Sequence, residues 1–155
     1  MFAMSKRVEY GVIAMTYLSG LGGDRRASVG EIAGAFAVPR ELLAKILSVL
    51  VKAGLAESYS GPAGGFRLAK PAAETSLMEI LRALERRPGL VACTGGHDLC
   101  SLSRSCQIRS PMMNVHIRLR RVLEETTLAD LSRISAKGQQ EMKNLTLLDP
   151  TSTKA

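Results

Sequence analysis

Three cysteines stand close together in the second half of the chain and are all the cysteine that it contains. They are Cys93, Cys100 and Cys106, and they share a polar stretch of Thr, Gly, His, Asp and Ser residues. Thiolates are soft ligands that bind iron-sulphur clusters or zinc, and a flexible polar loop lets their sulphur atoms converge on one site. A reducing cytosol disfavours disulfides, and an odd number of thiols would leave one unpaired. The pattern therefore favours ligation over three buried structural cysteines.

Two other chemistries fit the same thiols. A zinc ion or a reversible thiol-disulfide switch would use the same side chains without a cluster. A nucleophilic cysteine would need a histidine base and an orienting carboxylate, which His97 and Asp98 offer between two of the cysteines. The chain has no Gly-rich phosphate loop or other catalytic signature. We therefore expect neither an enzyme nor a small-molecule substrate.

The elements that must position these thiols are mainly helical. An apolar stretch from Val8 to Leu18 predicts a first helix, and SVGE at 28–31 matches a capping box that opens a second one. After Pro39, apolar residues recur at helical spacing until Gly54 ends a third helix, at positions 43, 46, 47 and 50. Two helices separated by so short a turn predict a helix-turn-helix pair.

A hairpin is predicted directly after this pair. Leu55 to Tyr59 and Phe66 to Leu68 are short strand candidates on either side of GPAGG at 61–65. The glycines of that segment supply the positive φ angles that a tight turn needs. A hairpin in this place is a wing, so the predicted fold is a mainly α winged helix-turn-helix.

The C-terminal part is predicted to hold a long dimerisation helix. SLME at 76–79 is a second capping box and opens a helix to about Arg87, after which residues 89–109 show no period and are predicted to be a loop. Ser110 and Pro111 then resemble an N-cap and a first helical residue. The following helix has too much apolar surface to stand alone, in a stripe at Met112, Val115, Leu119 and Val122 with Met113, Ile117 and Leu123 beside it.

We divide the chain into four segments. Residues 1–87 form the winged helix-turn-helix domain, and residues 88–110 form the cysteine-bearing cluster loop. Residues 111–146 hold the dimerisation helix and a short terminal helix capped by TLAD at 127–130, and residues 147–155 form a flexible tail.

The charge balance favours an anionic partner. The chain has 21 basic and 14 acidic residues, a formal net charge of +7, and the excess is spread along it. No run of eighteen apolar residues occurs, and the first twelve residues lack the apolar core of a signal peptide. We therefore expect a cytoplasmic protein with no membrane partner.

Several segments together resemble the Rrf2 family of bacterial regulators, the group that contains IscR, NsrR and RirA. They cover most of the chain and, with the three-cysteine loop, are SVGEIA at 28–33, LLAKILSVLVKAGLAES at 42–58, GPAGGFRLAKPA at 61–72, SLMEILRALE at 76–85 and TLADL at 127–131. The resemblance implies a homodimeric winged helix that binds a palindromic operator in double-stranded DNA, most often as a repressor. It also implies an iron-sulphur cluster that senses redox state, nitric oxide or iron, with 4Fe-4S favoured over 2Fe-2S.

The DNA-binding residues follow from the docking of such a fold. A recognition helix offers its first residues to base edges, so Arg40 is placed to grip guanine and Glu41 to accept from cytosine, while Lys45 need only meet phosphate. Relatives commonly have Arg immediately before the wing's first Gly, and Ser60 stands there, which predicts weaker minor-groove contact. The full candidate set is Ser28, Pro39, Arg40, Glu41, Lys45, Ser60, Gly61 and Arg67, with Lys70 as a further backbone contact.

The cluster needs a fourth ligand beside its three cysteines. Some relatives use a His three residues after the third Cys, but Arg109 stands there. Others use an acidic residue from the first helix of the opposite protomer, and the resemblance places Glu9 at that position. His97 is the next choice, Asp98 beside it is a further candidate, and His116 on the long helix is a more distant one. Gain, loss or nitrosylation of the cluster would reorder the loop and thereby shift the dimer geometry, in a direction that the sequence leaves open.

Overall fold

A computed structural model describes residues 4–22, 24–85 and 105–133, and every structural statement below concerns these residues. The elements, in chain order, are α1 (Lys6–Leu21), α2 (Val29–Phe36), α3 (Arg40–Lys52), β1 (Ala56–Tyr59), β2 (Gly65–Leu68), a 3-10 turn (Ala72–Glu74), α4 (Leu77–Leu84) and α5 (Arg109–Glu125). Residues 128–133 are helical as well. This is the predicted mainly α winged helix, with the hairpin directly after the helix pair.

Serine side chains start three of the helices. The hydroxyl of Ser28 accepts from the Glu31 amide at 3.1 Å, but the Glu31 carboxylate accepts from the Tyr17 hydroxyl at 2.9 Å and so ties α2 to α1. The capping box predicted there therefore forms on one side only. The box at Ser76 and Glu79 forms in both directions and opens α4. Ser5 caps α1 in the same way, by accepting from Val8.

The core lies between α1, α2, α3 and α4. The four apolar residues predicted for the inner face of α3, Leu43, Ile46, Leu47 and Leu50, are all at most 1% exposed. Removing such a side chain from water contributes about 1.5–3 kcal/mol to the free energy of folding. Gly11 lets α1 and α4 approach closely, because a Cβ on it would stand 2.3 Å from a methyl carbon of Leu84.

The wing is an antiparallel hairpin with a third strand position beside it. Glu57 pairs with Arg67 and Tyr59 with Gly65 in its register. Ala27, between α1 and α2, adds to the far side of β2 through two hydrogen bonds with Phe66, of 3.0 and 2.8 Å. The sequence did not predict this addition. It anchors the wing to the start of α2.

The chain after α5 returns to the winged helix. The Leu77 amide donates to the Thr126 carbonyl at 2.8 Å, and the Leu128 amide donates to the Thr75 carbonyl at 2.9 Å. Leu128 is fully buried and belongs to the same core as α1–α4. The end of α5 is therefore fixed to the body by main-chain pairing and by one core side chain.

Two predicted helix boundaries are wrong. The predicted N-cap Ser110 lies inside α5, which starts at Arg109 after Ile108, and Pro111 is tolerated because the first helical amides need no intrahelical acceptor. Helix α4 ends at Leu84, and the Glu85 amide closes it by donating to Leu81. Residues 86–104 lie outside the described part of the chain.

Candidate nucleic-acid interface and cysteine site

The first two turns of α3 carry exposed charges that form no ion pair within the described residues. Pro39 stands at the N-cap with φ −57°, and Arg40, Glu41 and Lys45 are exposed. Glu41 and Lys45 are four residues apart, yet within the described ranges neither they nor Arg40 forms an ion pair. These three side chains therefore remain available for a ligand.

The N-termini of α2 and α3 lie side by side. A Cβ on Gly30, in the first turn of α2, would stand 3.6 Å from the guanidinium carbon of Arg40. The Arg40 side chain thus lies against the turn that Ser28 caps. This arrangement brings the predicted contacts Ser28 and Arg40 onto one surface, which has a cation beside two helix N-termini and suits an anion.

The wing presents a different picture. Ser60 and Gly61 are exposed, and Gly61 has φ +98°, a conformation that favours glycine at this turn. Arg67 is 31% exposed and is held by two carboxylates, since its Nε lies 2.8 Å from Glu57 and its Nη1 lies 2.7 Å from Asp24. The predicted DNA contact Arg67 is therefore engaged within the chain.

These interactions shift the acidity of the wing residues. The hydroxyl of Tyr59 and then the guanidinium of Arg67 lower the pKa of Glu57, while the Glu57 carboxylate raises the pKa of both Tyr59 and Arg67. The ionised carboxylate is thus the form that the wing requires.

Sequence reasoning missed Arg26. Its guanidinium carbon lies 3.7 Å from the centre of the Tyr59 ring, on the wing face that also carries Arg67. The signal that could have found it is a pair of arginines, Arg25 and Arg26, three and two residues before the Ser28 cap.

Only one of the predicted cluster cysteines can be placed. Cys106 is a free, half-buried thiol, and its carbonyl accepts from the Arg109 amide at 3.3 Å in the turn that starts α5. Cys93, Cys100, His97 and Asp98 lie outside the described residues. Within the ranges that the structure describes, no three His, Cys, Asp or Glu residues come close enough to hold a metal ion.

The predicted fourth ligand, Glu9, lies on the first turns of α1. Its carboxylate pairs with Lys6 at 2.6 Å, and its side chain is 40% exposed. The Ser5 hydroxyl, which caps α1, donates to the Glu85 carboxylate just after α4. Glu9 is therefore one helical turn from the point where the chain enters the segment of the cysteines. His116, the more distant candidate, is half-buried on α5.

The fold and the exposed charges at the start of α3 define the class of this protein, a winged helix-turn-helix of the kind that binds DNA. Residues 4–134 match the family Rrf2, described as iron-dependent transcriptional regulators. The chain belongs to the Rrf2 family and is a transcriptional regulator. Because the family is non-enzymatic, the expectation that the chain is not an enzyme is confirmed.

Individual relatives agree with this assignment. The chain is 33% identical to the HTH-type transcriptional regulator NsrR of Geobacillus kaustophilus over 129 residues, 83% of this chain and 88% of the relative. The structure of CymR, the global cysteine regulator of B. subtilis, superposes with a TM-score of 0.72 at 25% identity, over 86% of this chain and 98% of that one. IscR of T. potens gives a TM-score of 0.69 at 29% identity, over 89% and 91%. No helix in the described ranges is long and apolar enough to cross a membrane.

Proposed function

We propose that this chain is a homodimeric repressor that binds a palindromic operator and whose operator affinity is set by an iron-sulphur cluster. The observation that carries the DNA part is the unpaired charge at the start of α3. If Arg40, Glu41 and Lys45 stabilised the fold, they would form ion pairs within the chain. The described residues supply no such ion pair. Base edges and phosphates are partners of the right chemistry.

The proposal of a dimer rests on the surface of α5. None of its residues is buried, and Ile108, Val115 and Val122 are 64%, 49% and 57% exposed at an interval of seven residues. Met112 and Leu119 fall between them, so the stripe alternates steps of four and three. That spacing is the seam of paired helices. A second copy of α5 is the partner that buries it, and a two-fold dimer presents two recognition helices to a palindromic site.

The proposal of a cluster rests on the donor set. Cys93, Cys100 and Cys106 would supply thiolate ligands, and Glu9 would supply a carboxylate from the opposite protomer. The family description as iron-dependent regulators supports this reading. When bound, the cluster would supply a centre that oxidants, nitric oxide or iron depletion can alter. A hard, weakly held carboxylate would leave one iron site open to exchange.

The chain itself offers a route from this site to DNA. Cys106 immediately precedes α5, and the far end of α5 is pinned to the body at Thr126 and Leu128. A change at the cysteines would move the start of α5. In the dimer, this movement would change how the two winged helices are placed relative to each other. The operator affinity changes only if the two states differ in DNA contact energy.

A thiol-disulfide or zinc switch is the second candidate. The likeness to CymR, which is described as a cysteine regulator, favours it, and the same three thiols would carry it. Anaerobic purification with iron, sulphide and zinc analysis separates the two. A brown protein with iron and acid-labile sulphide supports the cluster, whereas zinc or neither metal contradicts it.

The DNA part is tested by two substitutions on α3. Arg40→Ala should reduce discrimination between operator and unrelated duplex, by about 1–3 kcal/mol, while Lys45→Ala should weaken both alike. Operator fragments selected from genomic DNA and titrated by fluorescence anisotropy give both quantities. If neither substitution changed binding, α3 would not be the reader.

A further inference from the structure

The wing tip has no charge with which to hold a phosphate. Residues 60–65 are Ser, Gly, Pro, Ala, Gly and Gly. Phosphate contacts supply much of the affinity of a DNA-binding protein, and they come mainly from arginine, lysine and amide donors. The cation that the wing contributes must therefore come from the strands or from the position beside them.

Arg67 is the cation on the strands, and it is already neutralised. Glu57 and Asp24 lie within 2.8 and 2.7 Å of two of its guanidinium nitrogens. Because two carboxylates already pair with this one cation, Arg67 is poorly suited to bind a phosphate. Its role is to join β1 and β2 to Asp24 in the segment that follows α1.

Arg26 stands beside it without such a partner. Ala27 pairs with Phe66, so Arg26 falls level with Arg67 on the outer face of the wing. Within the described residues Arg26 forms no ion pair and no side-chain hydrogen bond, and its guanidinium carbon lies 3.7 Å from the centre of the Tyr59 ring. Its charge acts on Glu57 only through space and, after Tyr59 and Arg67, helps to lower the pKa of that carboxylate. A ring orients a guanidinium through its face but leaves the charge and the edge donors free.

The Tyr59 ring beneath Arg26 is fixed by a hydrogen bond of its own. The Tyr59 hydroxyl donates to Glu57 at 2.7 Å, which fixes the ring. The residue paired with Tyr59 is Gly65, which has no side chain to obstruct the approach of Arg26 to the ring. A Cβ on Gly65 would lie 3.3 Å from the Ser28 amide nitrogen, so this edge of the wing touches the cap of α2. Arg26 therefore continues the surface that begins with Arg40 and Ser28.

We propose that Arg26, carried on the Tyr59 ring, is the group through which the wing binds a DNA phosphate, and that Arg67 serves the wing's structure instead. This inference rests on the proposed DNA-binding function. It assigns the wing contact to a residue before α2 rather than to the hairpin.

The test uses the full chain and an unrelated duplex of about 30 base pairs, because a phosphate contact is independent of sequence. Binding is measured by anisotropy from low to near-physiological salt. Arg26→Ala should lower the slope of log affinity against log salt by about 0.9 for each contact, about 1.8 for a dimer. Arg67→Ala, the matched control, should leave the slope unchanged. Arg26→Lys should keep the slope, and Tyr59→Leu should weaken binding by about 2- to 5-fold per protomer at an unchanged slope.

Each outcome decides one question. Thermal melting first confirms that every variant is folded. A wild-type protein without salt-dependent binding would overturn the DNA proposal and this inference together. A steep wild-type slope that Lys45→Ala lowers but Arg26→Ala does not would overturn the inference alone. A slope that Arg67→Ala lowers and Arg26→Ala leaves unchanged would show that the two roles are assigned wrongly.

Discussion

The winged-helix body and helix α5 bury their apolar residues in opposite ways. The body, α1–α4 with the wing, holds a continuous core in which Met15, Ile32, Leu47 and Ile80 are fully buried. Helix α5 has 17 residues, none of them buried, and several of its large apolar side chains are exposed to solvent. A helix of this composition is stabilised by packing rather than by its own propensity.

This difference shows which part of the chain satisfies its own packing and hydrogen-bonding requirements. The buried side-chain polar atoms of the described residues all have hydrogen-bond partners, so the body satisfies its own requirements. Among the described residues, nothing covers the apolar stripe of helix α5, and no second metal-ligating side chain stands with Cys106 to form a site. Substitutions should therefore affect folding in the body and assembly in the region of Cys106 and α5.

The largest expected effect is the loss of the cluster. Cys106→Ala should abolish iron and sulphide retention, since it removes a thiolate that no neighbour replaces, while the body melts as a folded domain. Anaerobic absorption spectra with iron and sulphide analysis, together with circular dichroism, measure both. A variant that kept its cluster would exclude Cys106 as a ligand.

The fourth ligand gives a graded version of that test. Glu9→Ala should leave an assembled cluster with altered absorption and faster loss in oxygen or chelator, because water or an added thiol replaces a carboxylate more readily than a thiolate. His97→Ala is the control. If His97→Ala changed the spectra and decay while Glu9→Ala matched the wild type, the ligand would lie within the cysteine loop.

The next effect concerns the exposed stripe. Val115→Glu should weaken dimerisation by about 1,000-fold or more, because it buries a carboxylate in an apolar seam, a cost of several kcal/mol. Sedimentation equilibrium measures the dissociation constant. Phe36→Glu is a matched control on the body, since Phe36 is 45% and Val115 49% exposed. If the two substitutions weakened dimerisation equally, the stripe on α5 would not be the specific dimer interface.

Leu128 tests where the body ends. It lies beyond α5 in the sequence but is fully buried in the body's core, so Leu128→Ala should lower the free energy of unfolding by about 2–5 kcal/mol. Val122→Ala, at a 57% exposed position, should change the unfolding of the monomer by less than about 0.5 kcal/mol. Urea unfolding at low protein concentration compares them. Similar small losses would place Leu128 outside the cooperative core.

The smallest expected effect is a pH dependence of the free energy of unfolding of the body. Burial raises the pKa of Glu79, but the Lys70 ammonium and the amide and hydroxyl of Ser76 together outweigh it and lower the pKa. The stabilisation is complete above the ordinary Glu pKa of about 4.3 and is lost as the pH falls through the lowered folded-state value. Glu79→Gln should therefore cost about 0.2–1 kcal/mol at pH 7 and converge with the wild type once the pH falls below the lowered folded-state pKa. A difference that persisted in acid would assign the effect to packing.

Periodicity and cap chemistry predicted the helix pair, the wing and the fold class correctly, and the resemblance predicted the family. These features depend on local spacing, because a helix shows its buried face every three or four residues and a cap needs only a serine at the right place. The position of Arg40, Glu41 and Lys45 on α3 was predictable for the same reason, and their role in DNA binding stays a prediction. The assignments of Cys93, Cys100, Cys106 and Glu9 as ligands stay predictions.

The tertiary structure decided what local spacing does not encode. Ala27 pairs with the wing, Arg26 lies on the Tyr59 ring, and Asp24 pairs with Arg67, although the partners in each pair are more than thirty residues apart in the chain. The sequence by itself determined which residues carry charge, thiols and apolar stripes. Only the fold determined which charges are neutralised and which remain free, because the strength of an electrostatic interaction depends on distance and burial, and both arise when separate segments pack together.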